Sequence, residues 1–312
     1  MISFSNQTKT EICGGIRRTP EKRAFLSGIL LSARRLSSQE IALQTECEAF
    51  AALIPALLQS VTAKLRCDTE FRSRSGRLPV WCFRISGADA GVLLQSLGIV
   101  PEARAESAIF QSGTGRTLSL LAAGAFVMSG SVTDPARAYH LELALPDAAF
   151  ADALRARIAQ EQPAIVLKRT VRKHDTVLYL KQNEQIADAL TYFGAPNASL
   201  MLAEQQVYKS FRSQTNRRTN CDLANIDKTV AAGAQQAADI RLILETAGLD
   251  SLPENLQEIA RARLNDPEAN LRDSAAACSP PLSRSGAHHR LARIAEIAAK
   301  LRAAQQEMPN DS

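Results

Sequence analysis

The chain has 312 residues, of which 46% are hydrophobic and 22% charged, and carries a formal net charge of +5. That is enough apolar material for ordinary globular cores and enough length for two or three domains, which excludes a disordered or fibrous chain. A mildly basic balance favours polyanionic partners such as nucleic acid only where the cations cluster; a basic enzyme starts level with that reading.

The opening MISFSNQTKTEICGG has no basic stretch followed by an apolar one, and no apolar run reaches the roughly 20 residues a bilayer requires. A soluble, cytoplasmic protein without membrane contact is therefore expected. The cysteines at 13, 47, 67, 82, 221 and 278 form no CxxC pair and no histidine-containing metal spacing. Reduced thiols are expected, with no metal and no cofactor.

Chain order then exposes an internal repeat. Leu26-Ser27-Gly28-Ile29-Leu30-Leu31 falls on Ala122-Ala123-Gly124-Ala125-Phe126-Val127, an offset of 96 residues. WCFRI at 81–85 falls on VLYLK at 177–181, and the text around Gly98 on that around Gly194, at the same offset. Each copy opens with a small-residue helix and passes to a short alternating strand, IALQTE at 41–46 or YHLELAL at 139–145. An amphipathic helix follows (51–65 and 147–160), then two strands around a polar turn (67–85 and 163–181), then a short helix ending in glycine. The unit is α-β-α-β-β-α, twice, giving halves at 1–100 and 101–205.

Alternation in the strands assigns two faces. Trp81, Phe83 and Ile85 point one way and Arg72, Arg74 and Arg84 the other; in the second copy Lys168, Arg169 and Arg172 accompany Tyr179 and Lys181 on the wet face, opposite Leu178 and Leu180. Residues 64–84 hold six Lys or Arg against two acids, and 163–181 hold five against one. Such a face can meet phosphates, although solvated strands are often charged for solubility alone.

Residues 206–240 read as a basic linker and helix. The stretch 207–229 is amide-rich, with little apolar periodicity, and offers Arg217 and Arg218 as phosphate contacts; AAGAQQAADIRLILETAG is helical to a cap at Gly248. Residues 241–312 then give three helices. Pro253 starts the first, whose face is Leu256, Ile259, Ala260 and Leu264; Asn270 caps a short second one, LRDSAAAC; after SPPL, Ser283 caps the last, with the stripe Ala287, Leu291, Ile294, Ala298 and Leu301. Ser283, Arg284, Ser285, His288, His289, Arg290 and Arg293 lie at or near its start, and no acid occurs between Pro280 and Ala295. This pattern predicts a helix-turn-helix whose last helix reads double-stranded DNA in the major groove. His288 and His289 are neighbours and point about 100° apart on a helix, a poor pair of metal ligands.

Two helices related by a pseudo-two-fold axis approach closely only where side chains are small. The stretch from Ala122 to Val132 resembles the LAGLIDADG motif of homing endonucleases, and Leu26 to Leu36 is a weaker copy. The resemblance implies a fold of α+β class, with duplicated αβαββα units and a saddle-shaped antiparallel sheet, followed by an all-α helix-turn-helix domain. It also places Ala33 and Ser129 where those nucleases carry the metal-holding acids, which implies binding without cleavage.

Taken together, the two motifs, NRRTNCDLANIDKTV at 216–230 and SPPLSRSGAHHRL at 279–291 are similar to the WhiA family of bacterial regulators. That resemblance implies a non-catalytic, nucleoid-associated regulator of transcription in sporulation, cell division and chromosome segregation, with another transcription regulator or a division protein as candidate partner. The competing readings are an endonuclease with displaced acids, Asp134 or Glu142, and a protein-docking scaffold. Two departures stand out: Ser274 replaces a leucine of the first helix-turn-helix helix, a loss of about 2–5 kcal/mol where nothing compensates, and Arg34-Arg35 replace Gly-Ser.

Overall fold

Small residues fix the centre of the first unit, Met1–Ser210, in a computed structural model that describes residues 2–73 and 79–307. Helices α1 (Phe4–Gly14) and α2 (Thr19–Leu31) lead into strands β1 (Arg35–Leu36) and β2 (Glu40–Thr45), helix α3 (Glu48–Gln59), strands β3 (Asp68–Arg72) and β4 (Val80–Ser86), and helix α4 (Ala88–Leu97). A short helix α5 (Ala108–Ser112) links the copies. The second copy repeats the order as α6 (Arg116–Ser129), β5 (Gly130–Val132), β6 (Leu141–Leu145), α7 (Ala148–Glu161), β7 (Lys168–Arg172), β8 (Asp175–Leu180) and α8 (Asn183–Phe193). The expected unit lacked only the short strands β1 and β5, whose few residues carry no readable alternation.

Each copy forms its own four-stranded antiparallel sheet, ordered β1-β2-β4-β3 and β5-β6-β8-β7. Equivalent glycines close the two copies: Gly98 ends α4 at φ +63° and Gly194 ends α8 at φ +91°, the left-handed conformation glycine adopts without strain. Between the sheets α2 crosses α6. A Cβ on Gly28 would lie 2.0 Å from the Leu121 carbonyl oxygen, and one on Gly124 would lie 2.1 Å from that of Phe25, so the backbones themselves touch. The 96-residue offset thus pairs the two glycines about one local axis. Phe25, Phe50, Phe126, Phe150 and Phe193 fill the surrounding core, with Phe126 stacked on Phe193 at 5.4 Å.

The expected connector at 207–229 takes another form. Helix α9 runs unbroken from Pro196 to Ala247 over 52 residues, with its first free N–H groups, Asn197 and Ala198, donating to the Glu11 carboxylate at 2.7 and 3.0 Å. From 211 to 232 every side chain is exposed. The stretch mixes basic residues and alanines with amides, threonines and aspartates, and no hydrophobic stripe announces the helix to a periodicity reading.

The second unit, Phe211–Ser312, contains the rest of α9 with α10 (Glu254–Asn265), α11 (Leu271–Ala276) and α12 (Arg284–Glu307). Its core joins Ile240, Ile243, Leu256, Ile259, Leu291 and Ile294. Ser274 is buried, yet its hydroxyl donates to the Asn270 carbonyl at 3.2 Å, which satisfies the polar group that replaced a leucine.

Candidate nucleic-acid interface

The start of α12 is built by a cap and two clamps. Ser283 Oγ accepts from the Gly286 N–H at 3.0 Å; the turn before it is held by Leu282 N–H on the Ala275 carbonyl (2.9 Å) and Ser279 N–H on Glu258 (2.8 Å). Ala287, Leu291, Ile294 and Ala298 are buried, as the stripe requires, while Leu301 is half-buried. Arg284, Ser285, His288 and His289 are exposed and make no hydrogen bond or ion pair among the described residues. The other two cations are engaged. Arg290 is half-buried and donates to the Asn255 carbonyl at 2.9 Å, fastening α12 to α10, and Arg293 pairs with Glu296 at 2.8 Å.

Arg263 is the largest fully buried side chain among the described residues. Its guanidinium donates to the carbonyls of Pro267 and Ala269, and so shapes the α10–α11 loop. No local spacing marks it, since its apolar neighbours would have accommodated a leucine as well.

At the other candidate site, the ends of α2 and α6, the serine hydroxyls turn back onto their own helices. Ser129 Oγ donates back to the Ala125 carbonyl and Ser32 Oγ to that of Gly28, both at 2.9 Å. Ala33 is fully buried, and its carbonyl accepts Arg104 Nη1 at 2.8 Å, as does that of Leu31 at 2.9 Å. Arg104 is itself buried, which lowers its pKa, and its guanidinium satisfies carbonyls at the C-terminal end of α2. No local signal marks it, because its partners are more than 70 residues distant.

Sequence comparison adds a second line of support. The profile of the WhiA C-terminal HTH domain matches residues 215–298, and that of the WhiA LAGLIDADG-like domain matches 118–212. A Clostridium beijerinckii relative named Probable cell division protein WhiA is 32% identical over 96% of this chain and 99% of its own length. The chain belongs to the WhiA family. A Moorella thermoacetica relative of the same name is 42% identical over 59% of this chain; there the match spans 57% of the relative's length, little more than half. The crystal structure of full-length DUF199/WhiA from Thermatoga maritima is similar in fold, with a TM-score of 0.59 at 21% identity, covering 96% of this chain and 99% of that one.

In this WhiA chain the residues do not fit the metal of the nuclease fold. Alanine offers no ligand, the serine hydroxyl is turned onto its own helix, and among the described residues no group of three or more His, Cys, Asp or Glu could hold an ion. The candidate displaced acids are occupied too. Asp134 accepts the Ala136 N–H at 2.8 Å, and Glu142 takes both Arg172 guanidinium nitrogens, at 2.9 and 3.2 Å, with His140 at 3.3 Å. The Arg172 hydrogen bonds hold the Glu142 carboxyl below the usual glutamate range.

The candidate phosphate-gripping cations divide. Above the helix ends lies a cavity of about 810 Å³ whose lining includes Arg34, Arg35, Arg72, Arg84, Asp68 and Ser129. Arg72 forks onto Glu70 at 2.7 Å and Arg84 meets Glu40 at 3.2 Å, so both are on the expected wet face but paired. Arg34 reaches Asp175 of the second copy, which turns the Arg34-Arg35 departure into a tie between the two halves. Arg169 corrects the sequence reading: opposite Leu178 in the register, it lies on the helix side and pairs with Asp152 of α7 at 2.9 Å. Lys168 is exposed on the wet face opposite Tyr179, and Arg217 and Arg218 are exposed on α9. Arg74 lies outside the described residues. No helix among those residues is long and apolar enough to cross a membrane.

Proposed function

We propose that the protein is a non-catalytic, sequence-specific DNA-binding regulator acting in cell division, sporulation-gene transcription and chromosome segregation, associated with the nucleoid. Double-stranded DNA is its ligand, and Arg284, Ser285, His288 and His289 are its base-reading side chains. One observation carries the reading: the start of α12 presents the unpaired Arg284 and free polar side chains beside a helix N-terminus. Ser283 sets the helix start, while Arg290 positions the helix against α10. Chromatin immunoprecipitation in the native host, followed by footprinting, would supply the operator. On that operator Arg284→Ala with His288→Ala should lose at least about tenfold in affinity with the fold retained; unchanged affinity would remove α12 as the reader.

The carboxylates facing Arg72, Arg84 and Arg172 favour a second element of this proposal, that the LAGLIDADG-like region docks a protein partner, another regulator or a division protein, more than it grips phosphate. Supercoiled plasmid incubated with Mg²⁺ or Mn²⁺ tests the non-catalytic part. Nicking that vanishes in a Glu142→Gln protein would defeat it.

A further inference from the structure

Helix α9 begins with two apolar faces, and only one is covered. Ala198 and Leu202 are buried against the first unit. The same side is fastened by Lys209, whose ammonium donates to the Pro135 carbonyl at 2.6 Å and lies 4.6 Å above the Tyr139 ring, and by Gln206 on Asn183. At 100° per residue, Leu200, Met201, Val207, Tyr208 and Phe211 fall on the opposite side. They are open to solvent: Val207 is 68%, Tyr208 62% and Phe211 70% exposed. Scattered surface apolar residues need no explanation, but five large ones on one side of about three turns of helix do.

Charge says what covers them. Glu204, Tyr208 and Arg212 follow at one-turn intervals and are all exposed, an acid and a cation equally far along the helix from the aromatic ring, and neither charge is paired among the described residues. A surface carrying both signs symmetrically about its centre is complementary to itself when turned by a two-fold rotation, which is the requirement of an isologous interface. We propose that a second copy of this chain docks here, its α9 antiparallel to the first across an axis through Tyr208, with Glu204 of each copy against Arg212 of the other. The aromatic and aliphatic side chains supply the affinity, and the two ion pairs set direction and register. The assembly carries two helix-turn-helix units.

Sedimentation velocity of the full chain across a wide concentration range should show monomer passing to dimer. Glu204→Arg alone and Arg212→Glu alone should each hold the chain monomeric with unaltered thermal melting, and the two together should restore the dimer. Position is tested separately in a Cys221→Ser background: under copper–phenanthroline oxidation Tyr208→Cys should cross-link to a dimer and Ser210→Cys, on another side of the helix, should not. A chain that stays monomeric at every concentration, a dimer indifferent to both charge reversals, or equal cross-linking at the two positions would each overturn the proposal.

Discussion

Arginines on the sheets of the first unit and arginines at the start of α12 come from the same composition and meet opposite fates. On the sheets Arg72, Arg84, Arg169 and Arg172 each find a carboxylate within 3.2 Å. At α12 no acid lies between Pro280 and Ala295; among the described residues Arg284 has no partner, and Arg293 is neutralised by Glu296. The lesson is that a count of positive charges says little about a polyanion site; the placement of acids among them decides whether the field reaches solvent. Distant partners hide that placement from the sequence for Arg84, Arg169 and Arg172, whereas at α12 it is local and visible.

The firmest way to break the comparison is to remove the rigid frame on which the sheet pairs depend. A methyl on Gly124 or Gly28 would sit about 2 Å from a backbone oxygen that belongs to the facing helix, and backbone cannot step aside as a side chain can. Gly124→Ala should therefore cost about 3 kcal/mol or more. Calorimetry should record it as a lowered transition for the first unit, with DNA affinity of the soluble variant governed still by α12.

A smaller effect separates reader from support within α12. Arg290→Ala leaves the Asn255 carbonyl without its donor and should lower the stability of the second unit by about 1 kcal/mol. Arg284→Ala should leave melting unmoved while weakening operator binding by about 1–3 kcal/mol. Reversal of those two outcomes would exchange their roles. On α9, Arg217→Ala and Arg218→Ala should each reduce the slope of log affinity against log salt by about one if they meet phosphates, and Arg72→Ala should leave it unchanged.

Much of the architecture was legible because repetition is a strong signal. Gly28 and Gly124 stood at the shared offset, Gly98 and Gly194 marked the same helix end twice, and Asn270 and Ser283 capped where expected. What was hidden falls into two kinds. Arg104, Arg263 and the Arg34–Asp175 tie are buried or long-range contacts of residues whose type predicts exposure. Arg169 falls on the helix side because the strand alternates strictly through its basic run, so that Lys168 and Arg169 take opposite faces, as the register of Arg169 with Leu178 shows.

The gentlest probe of the comparison is pH, which should reveal a sheet pair as structural and say nothing about α12. Arg172 lowers the Glu142 pKa below its unfolded value, so the folded state prefers the carboxylate. The pair therefore contributes stability above the ordinary glutamate pKa of about 4.3, and that contribution is lost as pH falls through the folded value. Glu142→Gln removes the charge at every pH. Its melting temperature should lie below that of the parent at neutral pH, the gap should narrow on acidification, and the two curves should meet once Glu142 is protonated. The gap should be small and should shrink in high salt, because Arg172 is largely exposed. A gap that persists undiminished to the acid limb would mean that Glu142 matters through packing rather than charge. The paired sheet would then differ from the unpaired helix for a reason other than electrostatics.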